Sequence, residues 1–305
     1  MSAVPVPAAA QTHPASGDAA STGLSGRILP LPEAPEGRFL VHELLGRGAT
    51  ATVFRGTDLL NGRPVALKVA QGPTEKHARR IHAEAHILAS LDHPAVVGFV
   101  AAGTVPPGGQ WAGRPFLVEE FAYGGSLAER IRGGASGPEE VAGWAAAALS
   151  GLGHVHSRGL VHRDIKPANI LLSALRRCSV RIADFGIATQ ASAAPEPGES
   201  SGTVHYMSPE QAAGEPLGAA TDIYALGLVL LECLTGVKAY PGTPVESLVA
   251  RTLRGPEIPA ELGTGWVMLL TAMTAMDPAA RPTAAAAHKL AARLTRALPP
   301  LRLVG

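Results

Sequence analysis

Leu160-Val161-His162-Arg163-Asp164-Ile165-Lys166-Pro167-Ala168-Asn169 places a carboxylate, a cation and an amide in one short loop. Asp164 can accept or orient the proton of an attacking hydroxyl. Lys166, two residues on, can balance negative charge that builds during a group transfer, and Asn169 offers an amide oxygen to a magnesium ion. A run this short arises by chance, so its weight depends on what surrounds it.

Downstream, Val180-Arg181-Ile182-Ala183 reads as a strand and is followed by Asp184-Phe185-Gly186. A carboxylate just after a strand is placed to hold Mg²⁺ against phosphates; Gly186 lets the backbone swing and Phe185 can lock that swing by packing. Further on, Gly202-Thr203-Val204-His205-Tyr206-Met207-Ser208-Pro209-Glu210 ends in a carboxylate that needs a cation if buried, and Arg281 in Asp277-Pro278-Ala279-Ala280-Arg281-Pro282 is the candidate. Asp222, at the head of the apolar stretch Ile223 to Gly236, can cap that helix or accept hydrogen bonds from the backbone of the Asp164 loop.

Upstream, Leu45-Gly46-Arg47-Gly48-Ala49-Thr50-Ala51-Thr52-Val53 is a small-residue turn between two strands, the kind of backbone that approaches phosphates closely. Val65-Ala66-Leu67-Lys68-Val69 puts a lysine in an apolar strand at hairpin distance from that turn. Glu84 shares the helical side of Ile81, Leu88 and Leu91, an odd place for a carboxylate unless it faces a buried cation, and Lys68 is its natural partner. His82 and His86 lie one turn apart on the same helix without a third ligand and read as a solvated face.

In this order the motifs resemble the eukaryotic-like (Hanks-type) serine/threonine protein kinases, and the Gly-Thr-x-x-Tyr-Met-Ser-Pro-Glu-Gln run is similar to bacterial members. The resemblance covers about Arg38 to Leu298. It implies an α+β fold in two lobes, a small antiparallel sheet with one helix and a larger, mainly helical lobe. It implies that Lys68, paired with Glu84, grips the α/β-phosphates of ATP, that Gly46, Gly48 and Ala51 cover them, and that Asp164 is the catalytic base. Lys166 and Thr203 would support Asp164 and favour Ser/Thr acceptors, while Asn169 and Asp184 bind Mg²⁺, with Mn²⁺ a substitute. Val53, Ala66 and Leu171 would sandwich the adenine ring, and the backbone of Glu120 and Ala122 would hydrogen-bond its edge. Two departures stand out: Ala51 replaces the usual third glycine, and Glu119 stands where an apolar or small residue is usual. A carboxylate there makes the back of the pocket polar and should weaken ligands that bury an apolar ring in it.

The expected organisation is an Ala/Pro/Ser-rich disordered tail over 1–36, a kinase domain over 37–298 and a short tail over 299–305. Within the domain, 37–121 form the first lobe, 120–124 the hinge and 125–298 the second lobe. Strands are expected at Phe39–Leu45, Thr52–Thr57, Val65–Val69, Val96–Ala101 and Phe116–Phe121, with a helix over Thr74–Leu91 between the third and fourth. Helices are expected next at Ser126–Arg132, Glu139–His156, Ala220–Thr235, Pro244–Leu253, Gly265–Ala275 and Thr283–Leu298.

Net charge is +1 and aromatic residues are 4%, which argues against nucleic acid as the main partner. No apolar run is long enough for a membrane span, no signal peptide is evident, and Cys178 and Cys233 read as reduced thiols; the expected location is cytoplasmic. Partners are protein substrates with Ser/Thr acceptors, and a transient homodimer for trans-autophosphorylation is compatible with the sequence. An arginine beside a catalytic carboxylate is costly unless an anion neutralises it, so Arg163 is the expected reader of a phosphate on Thr189, Ser192, Ser200 or Ser201. The competing functions are a small-molecule phosphotransferase of the same fold and a catalytically inactive scaffold. Against them stand the Thr203 to Glu210 substrate shelf and the presence together of Lys68, Asp164 and Asp184.

Overall fold

A computed structural model describes residues 28–29, 37–48, 50–173, 179–186, 188–190 and 204–297. It opens with a six-stranded antiparallel sheet in the order β1-β2-β3-β4-β6-β5, from β1 (Ile28–Leu29), β2 (Phe39–Arg47), β3 (Ala51–Asp58), β4 (Arg63–Ala70), β5 (Phe99–Thr104) and β6 (Pro115–Glu120). Alternation decides the two faces. Val65, Leu67 and Val69 of β4 are buried with Phe39, Val41, Phe54, Phe116 and Val118, which turns Ala66 and Lys68 to the opposite face. Asn61-Gly62 closes the β3–β4 hairpin, with Gly62 at φ 71°, a conformation glycine adopts without strain.

Helix α1 (Glu75–Ala89) starts at Thr74, whose hydroxyl accepts from the His77 N–H. Its inner side, Ile81, Glu84, Ala85 and Leu88, is buried, while His82 and His86 are exposed. Ile81 and Leu88 join Leu117 and the core of the second lobe, so this helix ties the sheet to that lobe.

The second lobe contains α2 (Leu127–Ile131), α3 (Pro138–Ser157), α4 (Pro209–Ala213), α5 (Ala219–Thr235), α6 (Pro244–Leu253), α7 (Thr264–Met273) and α8 (Ala284–Ala297). Helix α5 is buried on every side from Thr221 to Leu234, as expected of a helix at the centre of its lobe. Helices α2 and α6 begin with reciprocal capping boxes, Ser126 with Glu129 and Thr243 with Glu246. Four short strands complete the lobe: β7 (Leu160–Val161) pairs with β10 (Thr189–Gln190), and β8 (Ile170–Leu172) with β9 (Val180–Ile182).

Two departures from the expected elements bear on how the lobes are built. Within the segment expected to be a tail, Ile28–Leu29 pairs with Phe39 and Leu40 as an edge strand; the rest of 1–36 and all of 299–305 lie outside the described residues. The strand expected at Val96–Ala101 begins at Phe99 instead. Val96 forms an isolated parallel bridge with Ile182, and the Val97 N–H donates to the Ile182 carbonyl at 3.0 Å, so this apolar pair crosses to the second lobe rather than extending the sheet.

The hinge lies against β8 through Gly124, whose N–H donates to the Leu172 carbonyl at 3.1 Å. A Cβ at 124 would stand 2.6 Å from the Leu172 Cβ and 2.7 Å from its carbonyl oxygen, so only glycine permits this approach.

Candidate active site

The cleft between the lobes has a volume of about 560 Å³, within the range of small-molecule sites. Gly46 and Gly48 line it from the β2–β3 turn, Val53 and Ala66 from the sheet, Glu120 and Ala122 from the hinge, and Leu171, Asn169 and Asp184 from the second lobe. Ala51, expected among them, is instead buried in β3 and is not part of the lining. The turn is held by the Gly48 N–H donating to the Ala51 carbonyl at 2.9 Å and by the Gln71 amide donating to the Gly48 carbonyl at 3.1 Å.

Lys68 stands at the centre. Its Nζ donates to Glu84 Oε1 and Oε2 at 2.7 and 2.8 Å and to Asp184 Oδ1 at 2.7 Å. Strand β4 turns Lys68 inward, α1 delivers Glu84 by its buried side, and the segment after β9 delivers Asp184 from the other lobe. Burial alone would lower the Lys68 ammonium, but Glu84 and Asp184 raise it well above its ordinary value. Burial would likewise raise Asp184, yet Lys68 beside it holds the carboxyl down at about 2. Asp184 has φ 63°, a costly backbone for a non-glycine residue, and Arg163 has φ 67°.

In the loop between β7 and β8, Lys166 Nζ donates to Asp164 Oδ2 at 2.6 Å. The Asn169 amide donates to the Asp164 carbonyl at 2.9 Å and to its Oδ2 at 3.1 Å, which leaves the Asn169 oxygen free of these bonds. The open choice for Asp222 is resolved in favour of the loop. Its carboxylate accepts from the His162 N–H at 2.9 Å and the Arg163 N–H at 2.8 Å and lies 2.8 Å from His156 Nε2, whereas α5 is capped at Gly218 without a side-chain bond. Burial would raise this carboxyl; His156 and the loop N–H groups hold it below its ordinary value.

Glu210 and Arg281 meet as expected, Nη1–Oε1 at 2.7 Å and Nη2–Oε2 at 2.8 Å, with both side chains buried. Thr189 sits in β10 opposite Val161, while Ser192, Ser200, Ser201 and Thr203 lie outside the described residues. The Arg163 carbonyl accepts from the Gln211 amide at 3.1 Å, linking the loop to α4.

Three features escaped sequence reasoning. His162 is fully buried; its Nδ1 accepts from the Asp164 N–H at 3.3 Å, which leaves Nε2 to donate to the Ala183 carbonyl at 3.0 Å, and its ring meets Phe185 edge-on at 4.7 Å. It thereby joins the Asp164 loop to the Asp184 segment, and its place two residues before Asp164 was the available signal. Arg181 pairs with Glu120 at 2.5 Å across the back of the hinge, and no local pattern announces this contact. The Tyr206 hydroxyl donates to Glu232 at 2.5 Å, which satisfies the one carboxylate in the apolar stretch of α5 after its first turn.

Glu119 occupies the position opposite Ala66 on β6, lines the cleft, and is 9% exposed with Oε1 buried and unpartnered. Burial, with Glu84 nearby, pushes its carboxyl up to about 8.

A family model for the protein kinase domain matches residues 39–291. The chain is 34% identical over 224 residues to the serine/threonine-protein kinase PrkC of Bacillus subtilis, covering 72% of this chain and 33% of that protein. It is 36% identical over 224 residues to PknL of Mycobacterium tuberculosis, covering 72% and 54%, and 34% identical over 231 residues to PknB of the same species, covering 73% and 36%. The chain thus spans between about a third and about half of the length of these relatives. Matched over most of its length and carrying an ion-paired lysine, a loop carboxylate and a second carboxylate around one cleft, the chain belongs to the protein kinase family, beside the bacterial serine/threonine kinases.

Proposed function

We propose that this chain transfers the γ-phosphoryl group of ATP to serine or threonine hydroxyls of proteins, acting in the cytoplasm through a domain spanning 37–298. The observation that carries the reading is Lys68 bridging Glu84 and Asp184 beside the Asp164–Lys166–Asn169 cluster. The hinge backbone at Glu120 and Ala122 holds the adenine edge, with Val53, Ala66 and Leu171 against its faces. Lys68 and the small-residue turn hold the phosphates. Asp164 orients the acceptor hydroxyl and takes its proton, and Lys166 offsets charge on the transferred group.

The donor set fits a magnesium ion: Asp184 is ionised, and Asn169 uses its N–H groups on Asp164 and keeps its oxygen. Bound there, the metal would neutralise charge on the phosphates. Activation would come by autophosphorylation on Thr189, Ser192, Ser200 or Ser201, with Arg163 reading the phosphate and transient homodimers delivering it.

Radiolabelled ATP, a generic protein acceptor and an aminoglycoside, each assayed with the chain, test the central reading. Label on protein Ser/Thr, together with loop phosphate by mass spectrometry, is expected. Label on the aminoglycoside alone would move the chain to the small-molecule phosphotransferases.

Glu119 makes the back of this pocket polar, and Glu119→Met tests that with two readouts. A carboxyl raised from 4.5 to about 8 in the folded protein contributes stability that is full below pH 4.5 and lost as pH rises through 8. The variant is expected to lose that falling limb in denaturant midpoints and to bind ATP-competitive ligands with a buried apolar ring about tenfold more tightly. An unchanged pH profile and unchanged affinity would remove Glu119 from this role.

A further inference from the structure

A second cavity, of about 570 Å³, shares Glu120, Phe121, Ala122 and Tyr123 with the cleft and has no other wall in common with it. Its charged lining is Arg38, Arg63 and Arg181 against Asp58 and Glu120. Asp58 is saturated: Arg38 donates to it twice, at 2.9 and 2.8 Å, and the Leu60 N–H and Asn61 amide take the remaining lone pairs at 3.1 Å each. Glu120 takes one nitrogen of Arg181.

The unmatched charge is cationic. Arg181 is 9% exposed, yet its Nε is buried and has no hydrogen-bond partner. Arg63, exposed at the start of β4, forms no ion pair among the described residues. The Nε is covered, so the guanidinium must turn from Glu120 toward the cavity before an incoming acceptor reaches it; a buried N–H without an acceptor costs about 1–3 kcal/mol, which that turn recovers. Beside these donors lie Phe99, Val100 and Phe121, an apolar wall suited to a flat hydrocarbon body.

We propose that this cavity is a second ligand site for a small organic anion, a carboxylate or phosphate monoester on a flat apolar body, and that its occupancy changes nucleotide affinity in the cleft through residues 120–123. The second half rests on the nucleotide reading of the cleft. Glu120 is the link: its carboxylate packs over Gly98 and reaches Arg181, while the cleft lies on the same residue. An anion on Arg181 competes with that carboxylate and so shifts the hinge residue that both cavities share. By linkage, nucleotide must then change affinity for the anion by the same factor.

The test is calorimetric titration of the full chain with naphthoate and with naphthyl phosphate, the two arms separating carboxylate from phosphate, and naphthamide as the neutral control. At least one anion is expected to bind with Kd of about 1 mM or tighter. Naphthamide binding to the parent chain, and anion binding to Arg63→Glu, are each expected to be about tenfold weaker, and Arg63→Leu to give a smaller loss in a variant without the reversed charge. A non-hydrolysable ATP analogue is expected to leave the probe bound while its own affinity changes by about threefold or more. No binding up to about 5 mM, equal binding to the folded Arg63 variants, displacement of the probe by the analogue, or analogue affinity untouched by saturating probe overturns the proposal. An analogue that does not bind at all overturns the nucleotide reading and the coupling with it, while the Arg63 variants still decide the anion site.

Discussion

Asp164→Asn is expected to lower kcat about 10²–10⁴-fold while KM for ATP changes by no more than about threefold. The substitution keeps the shape of the side chain and removes its charge and basicity. In the parent, Oδ2 accepts from both Lys166 at 2.6 Å and Asn169 at 3.1 Å. An asparagine can point its oxygen at these two donors, so the loop is expected to hold, but no carboxylate remains to orient or deprotonate a hydroxyl. The loss corresponds to about 3–5 kcal/mol of transition-state stabilisation. Because Lys68, Glu84 and Asp184 are untouched, nucleotide binding measured by calorimetry should stay near the parent value. Equal incorporation of label by Asp164→Asn and the parent would overturn the assignment of Asp164.

The largest effect on stability is expected from Arg281→Ala. Arg281 and Glu210 are buried side chains 71 residues apart, joined by two parallel bonds of 2.7 and 2.8 Å, and Arg281 also donates to the carbonyls of Ala220, Ala275 and Met276. Removing the guanidinium leaves a buried carboxylate with no cation, held by neutral donors alone, the Thr221 hydroxyl at 2.9 Å, the Ser208 hydroxyl and a backbone N–H. The expected cost is about 3–5 kcal/mol, against a typical total of about 5–15 kcal/mol, read from the urea midpoint at constant slope. The double variant Arg281→Met/Glu210→Leu should recover much of this loss, because no charge remains to be buried. A loss below about 1 kcal/mol in the single variant would show that the pair is not buried in solution. The pH dependence has a definite sign. Arg281 holds Glu210 below its ordinary value of 4.5 against the upward push of burial, so its contribution is present above 4.5 and is lost as pH falls through the lower folded value.

Much of the site was legible because its parts are local or periodic. Asp164, Lys166 and Asn169 fall within six consecutive positions, so their contacts follow from one loop. The Lys68–Glu84 pair could be inferred because a carboxylate on the buried side of a helix demands a cation, and the nearest lysine in a strand lay one element upstream. The same logic of a costly buried charge linked Glu210 to Arg281 across 71 residues. Helix α6 was expected at Pro244–Leu253 and is found there, since Thr243 and Glu246 mark its start by local chemistry.

The features that were not legible depend on which distant segments pack together. Val96 and Val97 have the composition of a strand, and only the position of Ile182 turns them into a link between lobes. Asp222 could have capped its own helix; the approach of the His162–Arg163 backbone, about 60 residues away in sequence, decided otherwise. Ala51 carries the small side chain of a phosphate-covering turn, yet it closes the start of β3 and is buried.

By itself, then, the sequence determined the family through its motifs and their order, and the two-lobed architecture that the family implies. It also named the charged residues around the cleft, because a buried charge needs a partner. Only the tertiary structure decided the partners of Asp222, the bridging role of His162, the Arg181–Glu120 contact and the cavity behind the hinge. Those depend on how the two lobes meet, and the meeting of distant surfaces has no local signature in the chain.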